Sequence, residues 1–254
     1  MAKVLVPLPD RDFDVTEVAV PWKLLREAGH DVVFATEAGA TPACDPLLIT
    51  GVVFGKLGAE PEAIRFYREL EAAPEFVAPR RWADCTNATD FDALLLAGGH
   101  APGMRQYLAS EVVQQITAAF FATEKPIAAI CHGVLVAARS KRADRQSVLH
   151  GLRTTCLPKY MERTAFFSTF WRRGRYYRTY PAYVEDEVRA ALASPDHFVR
   201  GPRNLSKRGT RDDDTHAVVV EDGRYMSGRW PGDAYLLAKV LIQRLAEATA
   251  RISA

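Results

Sequence analysis

The residues best placed to do chemistry are Cys131, His132 and Gly133, which directly follow an apolar run at residues 127–130. A buried strand that turns at once into a helix places the residue between them at the carboxyl edge of a sheet, where ligands of α/β proteins bind. The N-terminus of such a helix favours a thiolate over a thiol. The pattern therefore predicts a nucleophilic Cys131 with a lowered pKa, the alternative being an apolar cysteine that only fills the core.

A second turn of this kind, Gly98-Gly99-His100, follows an apolar run at residues 91–97. A glycine pair lets backbone N–H groups approach a reacting atom and stabilise negative charge on its oxygen. We expect the backbone of Gly98, Gly99 and His132 to bind this oxyanion, and the side chain of His100 to contact the substrate. A plain turn is the alternative interpretation of the two glycines.

Apolar runs alternate with amphipathic stretches along the chain. Strands are predicted at residues 4–6, 31–35, 91–97, 127–130, 153–155, 217–221 and 225–227, and helices at 17–28, 111–123, 134–139 and 232–245. The opening strand, helix and strand form a β-α-β unit, which requires a parallel pair of strands. Asp222-Gly223 predicts a hairpin between the last two strands. The predicted fold class is α/β, a flavodoxin-like or Rossmann-like three-layer sandwich with a mostly parallel sheet.

We expect residues 1–254 to form a single domain. A hydrophobic fraction of 48% and a charged fraction of 25% are typical of a globular protein with a sizeable core. Pro- and Gly-bearing turns at about residues 39–90 indicate an insertion between the second and third strands. A segment rich in aromatic residues and arginine, at about residues 162–185, is expected to cover the site.

The charge balance, the N-terminal sequence and the cysteine pattern argue against several kinds of partner and site. The 33 Lys and Arg residues nearly balance the 31 Asp and Glu residues, which argues against a nucleic-acid partner. The short apolar run at the N-terminus, followed at once by proline and charges, argues against a membrane span and favours a cytoplasmic protein. The four cysteines lie far apart in the sequence and the histidines are scattered, so we expect reduced thiols and no metal site.

As a set, these motifs resemble the PfpI superfamily, which is also named after the parkinsonism-associated deglycase and shares the class I glutamine amidotransferase-like fold. The motifs that carry the resemblance are Cys131-His132-Gly133, Gly98-Gly99-His100 and Glu17 in the first helix. The resemblance covers nearly the whole chain. Asp45-Pro46, the stretch up to Trp82 and residues 90–93 are similar to the branch that holds glutathione-independent glyoxalases (glyoxalase III) and a holding chaperone with aminopeptidase-like activity.

The resemblance implies catalytic roles for four side chains. It makes Cys131 the nucleophile, His132 the general base and Glu17 the carboxyl group that contacts the sulfur. Glu162 matches the spacing of a third, acidic member, which would orient His132. The alternatives are a solvated Glu17 at the helix start, a His132 that faces solvent, and a Glu162 paired with a surface arginine.

The resemblance also implies a reaction. The expected activity is a glyoxalase III-like conversion of a small 2-oxoaldehyde into a 2-hydroxy acid, with no cofactor. Hydrolysis of a small amide or a peptide by the same groups is a second interpretation. A stress-response holding chaperone, with Cys131 as a redox sensor, is a third.

The stretch from residue 166 to residue 180 concentrates aromatic and arginine side chains. Trp171, Arg172 and Arg175 are candidates for binding an anionic or aromatic substrate through charge-assisted bonds and stacking. The same residue types anchor protein interfaces, so a homodimer surface is an equally good interpretation.

Overall fold

A seven-stranded sheet organises the chain, of which the computed structural model describes the backbone of residues 1–252 and the side chains of residues 1–250. The strands are β1 (Lys3–Pro7), β2 (Arg11–Phe13), β3 (Asp31–Thr36), β4 (Ala43–Cys44), β5 (Arg80–Arg81), β6 (Ala93–Leu96), β7 (Ile127–Ile130), β8 (Val219–Asp222) and β9 (Tyr225–Gly228). In the main sheet they follow the order β5-β3-β1-β6-β7-β9-β8, and β2 pairs with β4 separately. Within the main sheet only β8 and β9 are antiparallel. This topology confirms the predicted α/β fold with a mostly parallel sheet.

Helices cover both faces of the sheet. They are α1 (Val15–Glu27), α2 (Pro46–Thr50), α3 (Pro61–Leu70), α4 (Pro74–Val77), α5 (Met104–Leu108), α6 (Glu111–Phe121), α7 (Gly133–Arg139), α8 (Lys159–Arg173), α9 (Val184–Ala190) and α10 (Ala234–Ile252). Short 3₁₀ helices lie at Trp82–Cys85, Ala88–Asp90, Pro195–His197 and Pro231–Asp233. Helix α1 packs against α3 and α10, whereas α7 packs against α5, α6 and α9. These two groups form the outer layers of the three-layer fold. No helix within residues 1–252 combines the length and the apolar character that a membrane crossing requires.

The two central strands, β6 and β7, position the glycine turn and the cysteine turn. Every residue of both strands is buried, and their parallel register pairs Leu96 with Ala129. Two residues beyond this pair, Gly98 and Cys131 lie side by side at the carboxyl edge of the sheet. Strand β1, on the other side of β6, leads through β2 into α1. Three segments of the chain therefore converge at this edge.

Local predictions have mixed outcomes. The hairpin at Asp222-Gly223 is confirmed, since Gly223 has a φ of 60° between β8 and β9. The strand predicted at residues 153–155 is wrong, because Thr154 makes only an isolated bridge, with Phe198. The segment at residues 39–90 contains α2, α3, α4 and the two-residue strands β4 and β5, and β5 joins the edge of the main sheet.

Candidate active site

The backbone at Cys131 makes a sharp turn between β7 and α7. Its φ is 57°, in the left-handed region that residues other than glycine rarely adopt. Its N–H donates to the carbonyl oxygen of Gly228 at 3.1 Å. The turn also requires glycine two residues later, because a Cβ on Gly133 would lie 2.2 Å from the carbonyl oxygen of Leu96. This backbone holds Cys131 at the edge of the sheet, where it is only 4% exposed.

Helix α1 directs Glu17 at the cysteine. The N-cap of the helix, Asp14, accepts hydrogen bonds from the N–H groups of Thr16 at 2.8 Å and Glu17 at 3.1 Å. Glu17 is fully buried, and its Oε2 accepts from the N–H of Gly98 at 2.8 Å. The Cys131 sulfur contacts the same carboxyl group, whose Oε1 has no other hydrogen-bond partner within residues 1–250. Glu17 therefore lies where the family resemblance implies, and not in solvent.

The imidazole of His132 lies between Cys131 and Thr179. Its Nδ1 is 3.5 Å from the Cys131 sulfur, and its Nε2 is 3.2 Å from the Thr179 hydroxyl oxygen. That hydroxyl has one hydrogen, which it donates to the carbonyl oxygen of His100 at 2.7 Å, so it can only accept from His132. In a neutral imidazole the hydrogen is therefore on Nε2. Nδ1 is left free to accept the thiol proton.

Burial sets the protonation states of these groups. It lowers the pKa of His132 to about 3, so this imidazole is neutral at physiological pH. It raises the pKa of the Glu17 carboxyl well above its usual value, which favours the protonated form. Burial, followed by the charges of Glu17 and Asp14, also raises the pKa of Cys131 well above that of an ordinary thiol. The predicted lowering of the Cys131 pKa is therefore wrong, because the loss of water outweighs the helix N-terminus.

One of the three predicted oxyanion donors is free in the resting protein, and a second bonds to the nucleophile itself. The Gly99 N–H has no acceptor among the described residues, and the His132 N–H bonds to the Cys131 sulfur. The Gly98 N–H is not available, since it donates to Glu17, and this part of the prediction is wrong. Gly98 instead allows the two turns to approach each other, because a Cβ there would lie 2.8 Å from the His132 nitrogen.

Glu162 is buried on α8 and does not contact His132. Its Oε2 accepts from the N–H of Val184 at 3.1 Å, and its Oε1 lies 3.6 Å from the guanidinium of Arg178. Both ring nitrogens of His132 have other partners. The prediction that Glu162 orients His132 is therefore wrong, and Thr179 occupies that position. Burial raises the pKa of Glu162 to about 7.

A cavity of about 210 Å³ reaches the cysteine. Its wall includes Cys131, His100, Glu162, Tyr177, Arg208 and Trp230. Pockets for drug-sized ligands measure roughly 300–1,000 Å³, so this cavity suits a smaller molecule. His100 stacks on Tyr177 at 4.3 Å, burial lowers its pKa to about 3, and its Nε2 has no partner within residues 1–250. The neutral His100 can therefore make one hydrogen bond to a molecule bound in the cavity.

Trp171, Arg172 and Arg175 lie outside this cavity. The wall takes residues from the first part of α8, up to Ser168, and the end of the helix extends beyond it. All three side chains are exposed, and the guanidinium of Arg172 lies over the ring of Phe54 at 4.8 Å. The prediction that they contact the substrate is therefore wrong.

Sequence reasoning missed Thr179, Arg208 and Trp230. Thr179 belongs to a stretch that stands out for its rings and charges, and nothing in its spacing relates its hydroxyl to His132. Arg208 and Trp230 lie in separate segments that only the folded chain brings to the cavity. Within the described residues, no three His, Cys, Asp or Glu side chains lie close enough together to hold a metal ion.

Comparisons with known proteins agree with this architecture. The sequence model of a family described as ThiJ/PfpI family-like matches residues 8–202. An uncharacterized protein of Schizosaccharomyces pombe is 26% identical over 252 residues, which cover 97% of this chain and 85% of the relative. A deglycase of Pyrococcus abyssi is 25% identical over 245 residues, which cover 96% of this chain and 99% of the relative. The crystal structure of glyoxalase III from Candida albicans matches with a TM-score of 0.68 and 19% identity, covering 96% of this chain and 97% of that one.

Proposed function

Because the chain belongs to the ThiJ/PfpI family, we propose that it converts a small 2-oxoaldehyde into the corresponding 2-hydroxy acid through Cys131, without a cofactor. The observation that carries this proposal is the 3.5 Å distance between the Cys131 sulfur and the unprotonated Nδ1 of His132, at a cavity sized for a small molecule. The Pyrococcus relative named as a deglycase adds support for chemistry at a carbonyl-derived carbon.

The first step joins the sulfur to the aldehyde carbon. The thiol proton passes to Nδ1 of His132 as the sulfur–carbon bond forms, and then to the aldehyde oxygen. The N–H groups of Gly99 and His132 stabilise the negative charge that develops on that oxygen. The product is a neutral hemithioacetal, and His132 is again unprotonated.

The second step moves a hydrogen between adjacent carbons. Nδ1 of His132 removes the proton from the former aldehyde carbon, while the Glu17 carboxyl gives its proton to the neighbouring ketone oxygen, and an enediol forms. The proton on Nδ1 then goes to the former ketone carbon, and the hydroxyl on the sulfur-bearing carbon returns a proton to Glu17. A thioester results. Water hydrolyses it, releasing the 2-hydroxy acid and restoring the thiol.

Hydrolysis of a small amide is a second candidate, favoured by a Bacillus subtilis relative named as a putative cysteine protease, which is 29% identical over 134 residues. Cys131 would be acylated directly, with the same backbone donors around the oxyanion. The small cavity favours a compact carbonyl compound over a peptide.

The test is lactate formation from methylglyoxal without added glutathione. Cys131→Ser should abolish turnover, and His132→Ala should lower it by roughly 100- to 10,000-fold, the usual range for a general acid–base group. Cys85→Ala is the matched control, since Cys85 is buried in a 3₁₀ helix and is not part of the cavity wall. Lactate formation by Cys131→Ser at the parent rate would refute the proposal. Faster release of amine from small amides than of lactate from methylglyoxal would favour the second candidate.

A further inference from the structure

Two N–H donors in the wall of the cavity lack an acceptor. Nη1 of Arg208 and Nε1 of Trp230 are both buried, and neither has a hydrogen-bond partner within residues 1–250. Both residues line the cavity that also contains Cys131. A buried donor without an acceptor is costly, and more so when it is charged, so native structures rarely keep one without a reason. An acceptor bound in the cavity would satisfy both donors.

The two side chains lie against each other. The guanidinium carbon of Arg208 lies 4.9 Å from the centre of the Trp230 ring, within range of a cation–π interaction. Trp230 is only 7% exposed and packs on Gly232, where a Cβ would lie 2.5 Å from the ring. The guanidinium also forms an ion pair at 3.4 Å between Nε and the carboxylate of Glu60, whose side chain is 63% exposed. That surface ion pair involves Nε and leaves Nη1 without a hydrogen-bond acceptor.

The acids of the cavity wall do not supply the missing acceptor. Oδ1 of Asp14 already accepts from the N–H groups of Thr16 and Glu17, and although the charge of Arg208 acts on this carboxyl group, no hydrogen bond joins Asp14 to Nη1. Glu162 accepts from Val184 and faces Arg178, and burial raises its pKa to about 7, which favours its uncharged form. Arg208 therefore remains the cation available to a ligand in this cavity.

We propose that Arg208 and Trp230 bind an oxyanion group, a carboxylate or a phosphate, of the molecule whose carbonyl reacts at Cys131. Arginine is well suited to such groups because its planar N–H donors match their geometry, and the indole N–H adds a neutral donor beside it. The carbonyl part of this assignment rests on the proposed function. The substrate is then a small 2-oxoaldehyde with a negative charge at its other end.

A binding experiment tests the anion site without turnover. The probe is 4-oxopentanoate, which has a carboxylate and a ketone but no aldehyde, titrated calorimetrically into the Cys131→Ala protein. Adding Arg208→Gln should weaken binding by about tenfold or more, the size expected for a lost charge-assisted bond. Trp230→Phe, which removes the N–H together with one of the two indole rings, should weaken it less. Arg172→Gln removes an exposed arginine outside the cavity and should change nothing. Equal affinity in the parent and in both cavity variants would overturn the proposal.

A kinetic experiment tests the substrate class. We compare kcat/KM for 4,5-dioxopentanoate, for its uncharged methyl ester and for hydroxypyruvaldehyde phosphate, so that carboxylate and phosphate are distinguished. The parent protein should prefer one of the anions to the ester, and this ratio should fall about tenfold or more in Arg208→Gln and less in Arg208→Lys, which keeps the charge. An unchanged ratio would overturn the proposal.

The two failures can be told apart. If no oxoaldehyde is turned over but the affinity for 4-oxopentanoate depends on Arg208, the anion site stands and the proposed reaction fails. If the ester and the anions are turned over equally well and Arg208→Gln binds the probe like the parent, the reaction stands and the anion site fails. Arg208→Lys keeps a long side chain in the wall, Trp230→Phe leaves a smaller ring there, and circular dichroism checks that each variant folds.

Discussion

The hydroxyl of Thr179 occupies the place where a carboxylate orients the histidine of many nucleophilic triads. A carboxylate would also stabilise a charged imidazolium, which a hydroxyl does only weakly. The low pKa of His132 is consistent with this difference, because no nearby negative charge offsets the effect of burial on that pKa. We therefore expect His132 to hold a proton only briefly, while the sulfur attacks, and not in the resting protein.

Replacing Thr179 tests this positioning role. Thr179→Val keeps the shape but removes the acceptor for Nε2–H, so the hydrogen can move to Nδ1 and block proton transfer from the thiol. We expect kcat to fall roughly tenfold or more with little change in KM. This loss is smaller than the ~100-fold or greater loss expected when general acid–base catalysis is removed altogether. Thr179→Ser keeps the hydroxyl and should restore most of the activity. Equal loss in both variants would indicate a packing effect instead.

The raised pKa of Cys131 gives a second prediction at this scale. A thiol with a raised pKa stays protonated at neutral pH, and its thiolate forms only as the pH rises through the higher value. Alkylation of Cys131 by iodoacetamide should therefore be slow from about pH 6 to pH 8 and should accelerate only above the ordinary thiol range, near 8.5. Mass spectrometry of the modified peptide gives the rate, with the urea-unfolded chain as control. A fast, flat rate at pH 6 would show a low-pKa thiolate and contradict our conclusion.

At the scale of secondary structure, the β7–α7 turn depends on how closely α7 can start beside β6. Gly133 is in contact with two carbonyl groups of that region, and a Cβ would lie 2.2 Å from Leu96 and 2.7 Å from Ala97. Both neighbours are backbone atoms in the centre of the sheet, so they cannot move aside easily. Any side chain at position 133 would thus displace the start of α7, and Cys131 and His132 with it.

We therefore expect Gly133→Ala to lower the free energy of unfolding by about 1–3 kcal/mol, as overpacking usually does, and to abolish most activity. Gly151→Ala is the matched control, because a Cβ at Gly151 would meet no atom within 4 Å. Urea denaturation measures both. If the two variants unfold at the same urea concentration, the close approach at Gly133 does not limit the turn.

Elements with a strong local signal could be predicted from the sequence, and those defined by distant partners could not. The buried apolar runs predict β6 and β7, and Asp-Gly predicts the β8–β9 turn, because each pattern is complete within a few residues. Strands β4 and β5 have only two residues each and exist because a neighbouring strand pairs with them. The motif likewise locates Cys131 and His132, but spacing alone does not determine which way Glu162 turns.

At the scale of the whole molecule, an exposed apolar surface surrounds the end of α8. We call Phe54, Phe167, Phe170 and Trp171 the α8 surface; each of these side chains is more than half exposed, and Phe54 and Trp171 lie 6.1 Å apart. Contiguous apolar surfaces of this kind often mark interaction sites. Since these rings lie outside the cavity and are exposed, we propose that the protein forms a homodimer through the α8 surface.

Sedimentation velocity tests this expectation. The parent protein should sediment as a dimer, and Phe170→Asp should convert it to a monomer because it places a charge among the buried rings of the interface. Val77→Asp introduces the same charge at another exposed apolar residue, on α4, and should leave the dimer intact. A parent protein that sediments as a monomer at high concentration would rule the interface out.

The positive φ of Cys131 is present in every folded molecule, whether or not substrate is bound. A side chain in that conformation costs about 1–2 kcal/mol, a noticeable share of the roughly 5–15 kcal/mol by which native proteins are stable. Glycine would remove this strain but also the sulfur. Natural selection for stability and natural selection for chemistry therefore oppose each other at this position. In a duplicated gene that no longer needs the reaction, we expect position 131 to drift away from cysteine early, while the buried strand that precedes it stays apolar.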